Sequence, residues 1–122
     1  MKQSRIFAAG AAGVMLCGIF SATADDAVKG GMSTVLFENE RVRVLEAKYP
    51  PGATHDMHSH PDHVVYALED AKVRMTGEDG KSADVDIKKG ATRWQPAITH
   101  KTENIGTTPL HAILVELKEP AK

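Results

Sequence analysis

The chain has 122 residues, nearly balanced charge (15 Lys and Arg against 16 Asp and Glu) and a single cysteine. No basic stripe or basic amphipathic helix stands out, which argues against a nucleic-acid partner and against binding at a membrane surface.

At the N-terminus, Lys2 and Arg5 precede an apolar run from Ile6 to Phe20, and Ala22-Thr23-Ala24 forms an A-x-A site. This is the layout of a secretory signal peptide over residues 1–24, cut after Ala24. An apolar run of about 15 residues is short for a membrane span, which needs roughly 20. Removing 24 of 122 residues leaves 98, enough for one domain with a modest core. The expected mature chain is periplasmic or secreted, carries a net charge of about −3, and has lost Cys17 with the signal. It therefore has neither disulfides nor thiolate chemistry, and any site must be built from nitrogen and oxygen.

Residues 25–31 are small and polar and are expected to form a flexible arm. Beyond it, over 32–122, turn signals recur at the spacing of an all-β sandwich or barrel. The expected strands are Thr34–Phe37, Val42–Ala47, a histidine-bearing strand, Val64–Leu68, Val73–Thr76, Ala83–Ile87, Thr92–Trp94, Ile98–Glu103 and Leu110–Leu117. No segment sustains a helical period. Alternation turns Val73, Met75, Val85 and Ile87 inward and Lys72 and Arg74 outward, and it places Ile98, His100 and Thr102 on one inward face. For His111 it does not decide, because both faces of its strand are largely apolar.

Four of the six histidines fall in nine residues of the stretch 51–69, PGATHDMHSHPDHVVYALE, namely His55, His58, His60 and His63. On a strand, His58 and His60 share one face and can chelate a single ion. Pro61-Asp62 reads as a tight turn that returns His63 beside the pair. A buried histidine at position 100 needs a partner, which the same ion would supply. By alternation His55 and Met57 fall on the opposite face and read as structural. Gly52 and Gly90 read as turn glycines with positive φ, and Asn104 as a turn-capping amide. Tyr66, Trp94 and the valines are expected to supply apolar wall, with Trp94 in the core. Arg43 and Arg93 are the cations nearest the barrel strands, able to orient a carboxylate substrate or simply to carry surface charge. Glu69 and Glu116 are the only carboxylates on the strands expected to flank the histidines.

Gly52, five residues, then His58-Ser59-His60 resembles the first half of cupin motif one. Gly90, five residues, Pro96, then His100, three residues, Asn104 resembles cupin motif two. The resemblance implies a double-stranded β-helix, or jelly-roll, barrel, often a homodimer, with one divalent metal in its mouth. In the family that metal is held by two motif-one histidines, a motif-one glutamate and a motif-two histidine. Here the glutamate is absent, and counting back from the end of the following strand puts its place at His63. The expected ligands are His58, His60, His63 and His100. All-nitrogen ligation suits one divalent transition ion, Fe, Ni, Cu or Zn rather than Mn. Two functions follow as expectations: a metal-dependent oxygenase or isomerase acting on a small oxygenated molecule, or a non-catalytic metal- or small-ligand-binding protein.

Overall fold

A computed structural model describes residues 25–118, and the signal-peptide reading lies outside them. Ten strands follow in chain order: β1 (Asp25–Asp26), β2 (Ser33–Glu38), β3 (Val42–Tyr49), β4 (Thr54–His60), β5 (His63–Ala67), β6 (Ala71–Gly77), β7 (Ser82–Ile87), β8 (Thr92–Gln95), β9 (Ile98–Asn104) and β10 (Leu110–Leu117). They form two five-stranded sheets, ordered β1-β4-β9-β6-β7 and β2-β3-β10-β5-β8. Among the described residues there is no helix. From β3 to β6, and again from β7 to β10, the chain changes sheet at every connection, so strands close in sequence face each other across the core.

The alternation read from sequence is present. Ala71 and Val73 are buried while Lys72 and Arg74 are exposed, and Thr102 and Asn104 continue the inward file of His100. On β10 the inward file is Leu110, Ala112, Leu114 and Glu116. His111 lies on the other face, hydrogen-bonded to Glu46. Leu45, Ala47, Tyr49, Val73, Leu110, Ala112 and Leu114 make the core. Gly52 and Gly90 both have φ near +85°, a conformation that other residues adopt only with strain.

Asn104 is a buried clasp as well as a cap. Its amide nitrogen donates to the carbonyls of Tyr49 and Thr108, and its side-chain oxygen accepts from the Gly106 amide. The segment 25–31, expected to be a loose arm, lies against the barrel instead. Asp25 and Asp26 pair in parallel with His58 and Ser59, Ala27 is fully buried, and Asp26 is ion-paired with Arg43.

Candidate metal centre

The site is built where the ends of β4 and β9 meet the interior. His58 and His100 face each other across the β4–β9 ladder, and His60 is two residues further along β4. All three are buried, and one nitrogen from each lies within 4.8 Å of the others. Donors on one transition ion, at about 2.0–2.1 Å each, are at most about 4 Å apart, so the trio would share one ion after drawing in by several tenths of an ångström.

The hydrogen bonds at the back of the rings assign their tautomers. His60 Nδ1 is 2.8 Å from Glu116 Oε2, and an ionised carboxylate only accepts, so Nδ1 carries a proton and, in the neutral ring, Nε2 keeps its lone pair. His58 Nδ1 donates to the Asp56 carbonyl at 2.7 Å, which likewise leaves Nε2 as an acceptor. Among the described residues, the buried side-chain polar atoms with no partner are His58 Nε2 and His100 Nδ1. A buried polar atom without a partner is costly. Here the two belong to rings packed edge to face, 4.7 Å between centroids and 62° between planes, and a shared cation would satisfy both. The residues therefore fit a metal ion.

Burial depresses the basicity of these rings. It takes His58 down to about 4, helped by the neighbouring imidazoles. His100 falls to about 3, through burial and then repulsion from His58, His60 and His63. Both rings are thus neutral at pH 7, the form that binds metals.

His63 opens β5 in the opposite sheet. It is buried rather than turned to solvent, its ring centroid is 4.7 Å from that of His60, and its Nδ1 donates to the Pro61 carbonyl at 2.8 Å. Burial lowers its proton affinity too. It lines the same cavity as the trio, but its nitrogens are not among the three that cluster within 4.8 Å.

His55 is misplaced by simple alternation. The β4–β9 register slips between His55, opposite Thr102, and His58, opposite His100. Three steps on β4 thus match two on β9, a bulge that brings both histidines to the inward face. His55 stacks on His58 with centroids 3.7 Å apart and planes 11° from parallel. Its Nδ1 accepts from the Tyr49 hydroxyl at 2.7 Å and its Nε2 donates to the Lys29 carbonyl at 3.0 Å.

Glu116, expected only as a carboxylate on a flanking strand, organises the outer side of the site. Only 2% exposed, it accepts a hydrogen bond from His60 on one oxygen and two from Arg43 on the other, at 2.9 and 2.7 Å. Burial alone would raise its carboxyl pKa; the bonds from His60 and Arg43 outweigh that and hold it below its ordinary value. The signal in the sequence is a charged residue in the file of Leu110, Ala112 and Leu114. Arg43 is accordingly a structural cation, engaged with Glu116 and Asp26. Since it neutralises Glu116, the set contributes no net negative charge to the ion.

In front of the histidines is a cavity of about 70 Å³, walled mainly by Ala47, Val65, Met75, Ile87, Leu110 and Leu114. Glu69 is exposed and does not line it. Nor do Tyr66 and Trp94. They are 45% and 54% exposed on the outer face, because β8 turns Gln95 inward and Trp94 outward; the expectation of Trp94 in the core is corrected.

No family model matches the sequence and no curated protein matches it. Solved structures do. A cupin domain from Bordetella pertussis Tohama I superposes with a TM-score of 0.67 at 26% identity, covering 80% of this chain and 98% of that one. A cupin superfamily protein from Desulfitobacterium hafniense gives 0.55 at 17% identity, over 71% and 76% of the two chains. An uncharacterised protein with a double-stranded β-helix domain from Klebsiella pneumoniae gives 0.58 at 19% identity, over 77% and 79%. The two-sheet barrel agrees with these likenesses, and the chain has the double-stranded β-helix fold of the cupin superfamily.

Proposed function

We propose that this is an exported metal-binding barrel whose ion, held by His58, His60 and His100 with His63 as a fourth donor, engages a small oxygenated molecule in the cavity, as an oxygenase or isomerase. The observation that carries the reading is the pair of unpartnered buried nitrogens, His58 Nε2 and His100 Nδ1, beside a largely apolar chamber. When bound, a divalent ion supplies Lewis acidity or a centre for O₂. The chain contributes orientation and exclusion of water. Glu116 and the Asp56 carbonyl fix the rings of His60 and His58, and the aliphatic wall keeps the chamber dry. Nitrogen donors favour Fe, Ni, Cu or Zn over Mn.

A non-catalytic carrier is the second reading, and one observation favours it. Glu116, the carboxylate nearest the rings, is fully engaged by His60 and Arg43, so the chamber has no free carboxylate base. Turnover decides between the two readings.

The test is made on protein recovered from the exported fraction. Intact mass is expected to correspond to a chain starting at Asp25, and elemental analysis to give one transition ion per chain. His58→Ala, His60→Ala and His100→Ala are each expected to abolish retention, whereas His63→Ala weakens it and His63→Glu preserves it. Wild type without metal under these conditions overturns the reading. Metal-dependent O₂ uptake or isomerisation across a panel of β-diketones and hydroxy-ketones separates enzyme from carrier.

A homodimer belongs to the same proposal. On the outer face of the second sheet, Phe37, Val44, Val115, Val64 and Trp94 are in cross-strand register over all five strands, and a second copy would cover that file.

A further inference from the structure

Adjoining the chamber at Met75 and Ile87 is a second cavity, of about 50 Å³, between β7 and β8. The two share Val65, Met75, Ile87 and Gln95, and the outer one adds Ala67, Ala91 and Arg93. Each of these two strands is an edge of its sheet, so the cavity lies near the surface there. On β8, Arg93 sits two residues from Gln95 and opposite Val65, and both of those line the inner chamber. Arg93 is thus on the inward file at the rim, and it is exposed.

Arg93 is the one charged side chain other than histidine among the residues that line either chamber. Among the described residues its side chain has no ion pair and no hydrogen bond. The other arginine that faces the interior, Arg43, is matched by Glu116 and Asp26, and Arg74 on the exterior by Asp84. An unmatched guanidinium over an apolar cavity is suited to a carboxylate, which it binds through two parallel hydrogen bonds.

We infer that the ligand of this site is a small organic monoanion: its carboxylate is held by Arg93 at the β7–β8 rim, and its apolar body passes Met75 and Ile87 towards the histidines. The inference rests on the proposed use of the same cavity, but Arg93 is not a metal donor, so the two can be tested apart. Charge at the rim also draws anions toward the mouth.

Isothermal titration of the metal-loaded protein with acetate, butyrate and hexanoate, each beside its neutral amide, reads the preference. Hexanoate is expected to bind about tenfold or more tightly than hexanamide, in the range of a hydrogen bond to a charged group, and acetate to bind weakly because it has no body to fill the cavity. Arg93→Gln is expected to bring acid and amide to equal affinity while metal content stays at the wild-type level, and Arg93→Lys to recover part of the preference. Equal affinity for acid and amide in wild type overturns the inference. So does a preference that persists in Arg93→Gln, since the carboxylate would then be read by the ion or by another group. If the protein retains no metal, the metal reading fails, and the same titrations of the metal-free protein still support or overturn the role of Arg93 by the same differences.

Discussion

Glu116 illustrates how one residue sets the chemistry of another. Its carboxylate holds the proton of His60 on Nδ1, so Nε2 faces the site as a lone pair, and Arg43 keeps the carboxylate ionised in a buried place. Glu116→Gln retains the shape but offers a single acceptor oxygen to two donors, so either His60 or Arg43 loses its partner. Metal affinity, measured by competition with a chelator, is expected to fall about 10- to 100-fold, the usual cost of losing such an outer hydrogen bond. Unchanged affinity would mean that the Asp56 contact of the other ring, not this one, orders the site. The clustered histidines are legible because strand alternation puts positions 58 and 60 on one face. Glu116 is legible in principle as a charge in an apolar file. His55 is not, since a one-residue bulge between 55 and 58 inverts its face and nothing in the local sequence announces it.

Strands 42–49, 71–77 and 98–104 follow their hydrophobic period closely, whereas β8 shows what the period leaves out. Alternation gives two faces to Thr92–Gln95 but does not say which is inside, and the bulk of Trp94 suggests the wrong one. The outward face is apolar because it continues the cross-strand file through Val64, Val115 and Val44 to Phe37. Leu36 and Phe37 on edge strand β2 are each more than half exposed, an apolar face that the proposed second copy would cover. Light scattering is expected to give twice the mass of a single mature chain, and Trp94→Glu combined with Val115→Glu to give the single mass, with the metal still bound. A wild-type monomer at 100 μM would leave the face uncovered and sink the dimer. Segment 25–31 departs from its expected looseness for a related reason: its composition is that of a loop, but backbone pairing of Asp25–Asp26 with β4 and burial of Ala27 depend on long-range contacts that composition does not encode.

For the whole molecule, the histidines couple stability to acidity. In the unfolded chain each titrates near 6.5; in the folded metal-free protein burial brings His58 to about 4 and His100 to about 3. Between those values and 6.5 the unfolded chain binds more protons than the folded one, so stability rises with pH across that window. Above 6.5 their full contribution is present, and it is lost as pH falls towards the folded values. At pH 5 the loss is on the order of 2 kcal/mol for each of the two rings. His63, shifted in the same direction, adds to the slope. Glu116 acts in the same sense but lower down, since its depressed carboxyl costs stability only as pH drops below the ordinary carboxylate range. A metal ion steepens the upper part of the curve, because protons compete for the same imidazoles. Denaturant unfolding at pH 7.5, 6 and 5 is expected to show the metal-free protein losing stability at each step and the metal-loaded protein losing more. His100→Ala should flatten the metal-free curve even though it opens a cavity, because a ring that no longer exists cannot bind a proton on unfolding. A metal-free protein equally stable at pH 7.5 and 5 would mean that these rings are hydrated and not held neutral by burial, and the donor set would lose its physical basis.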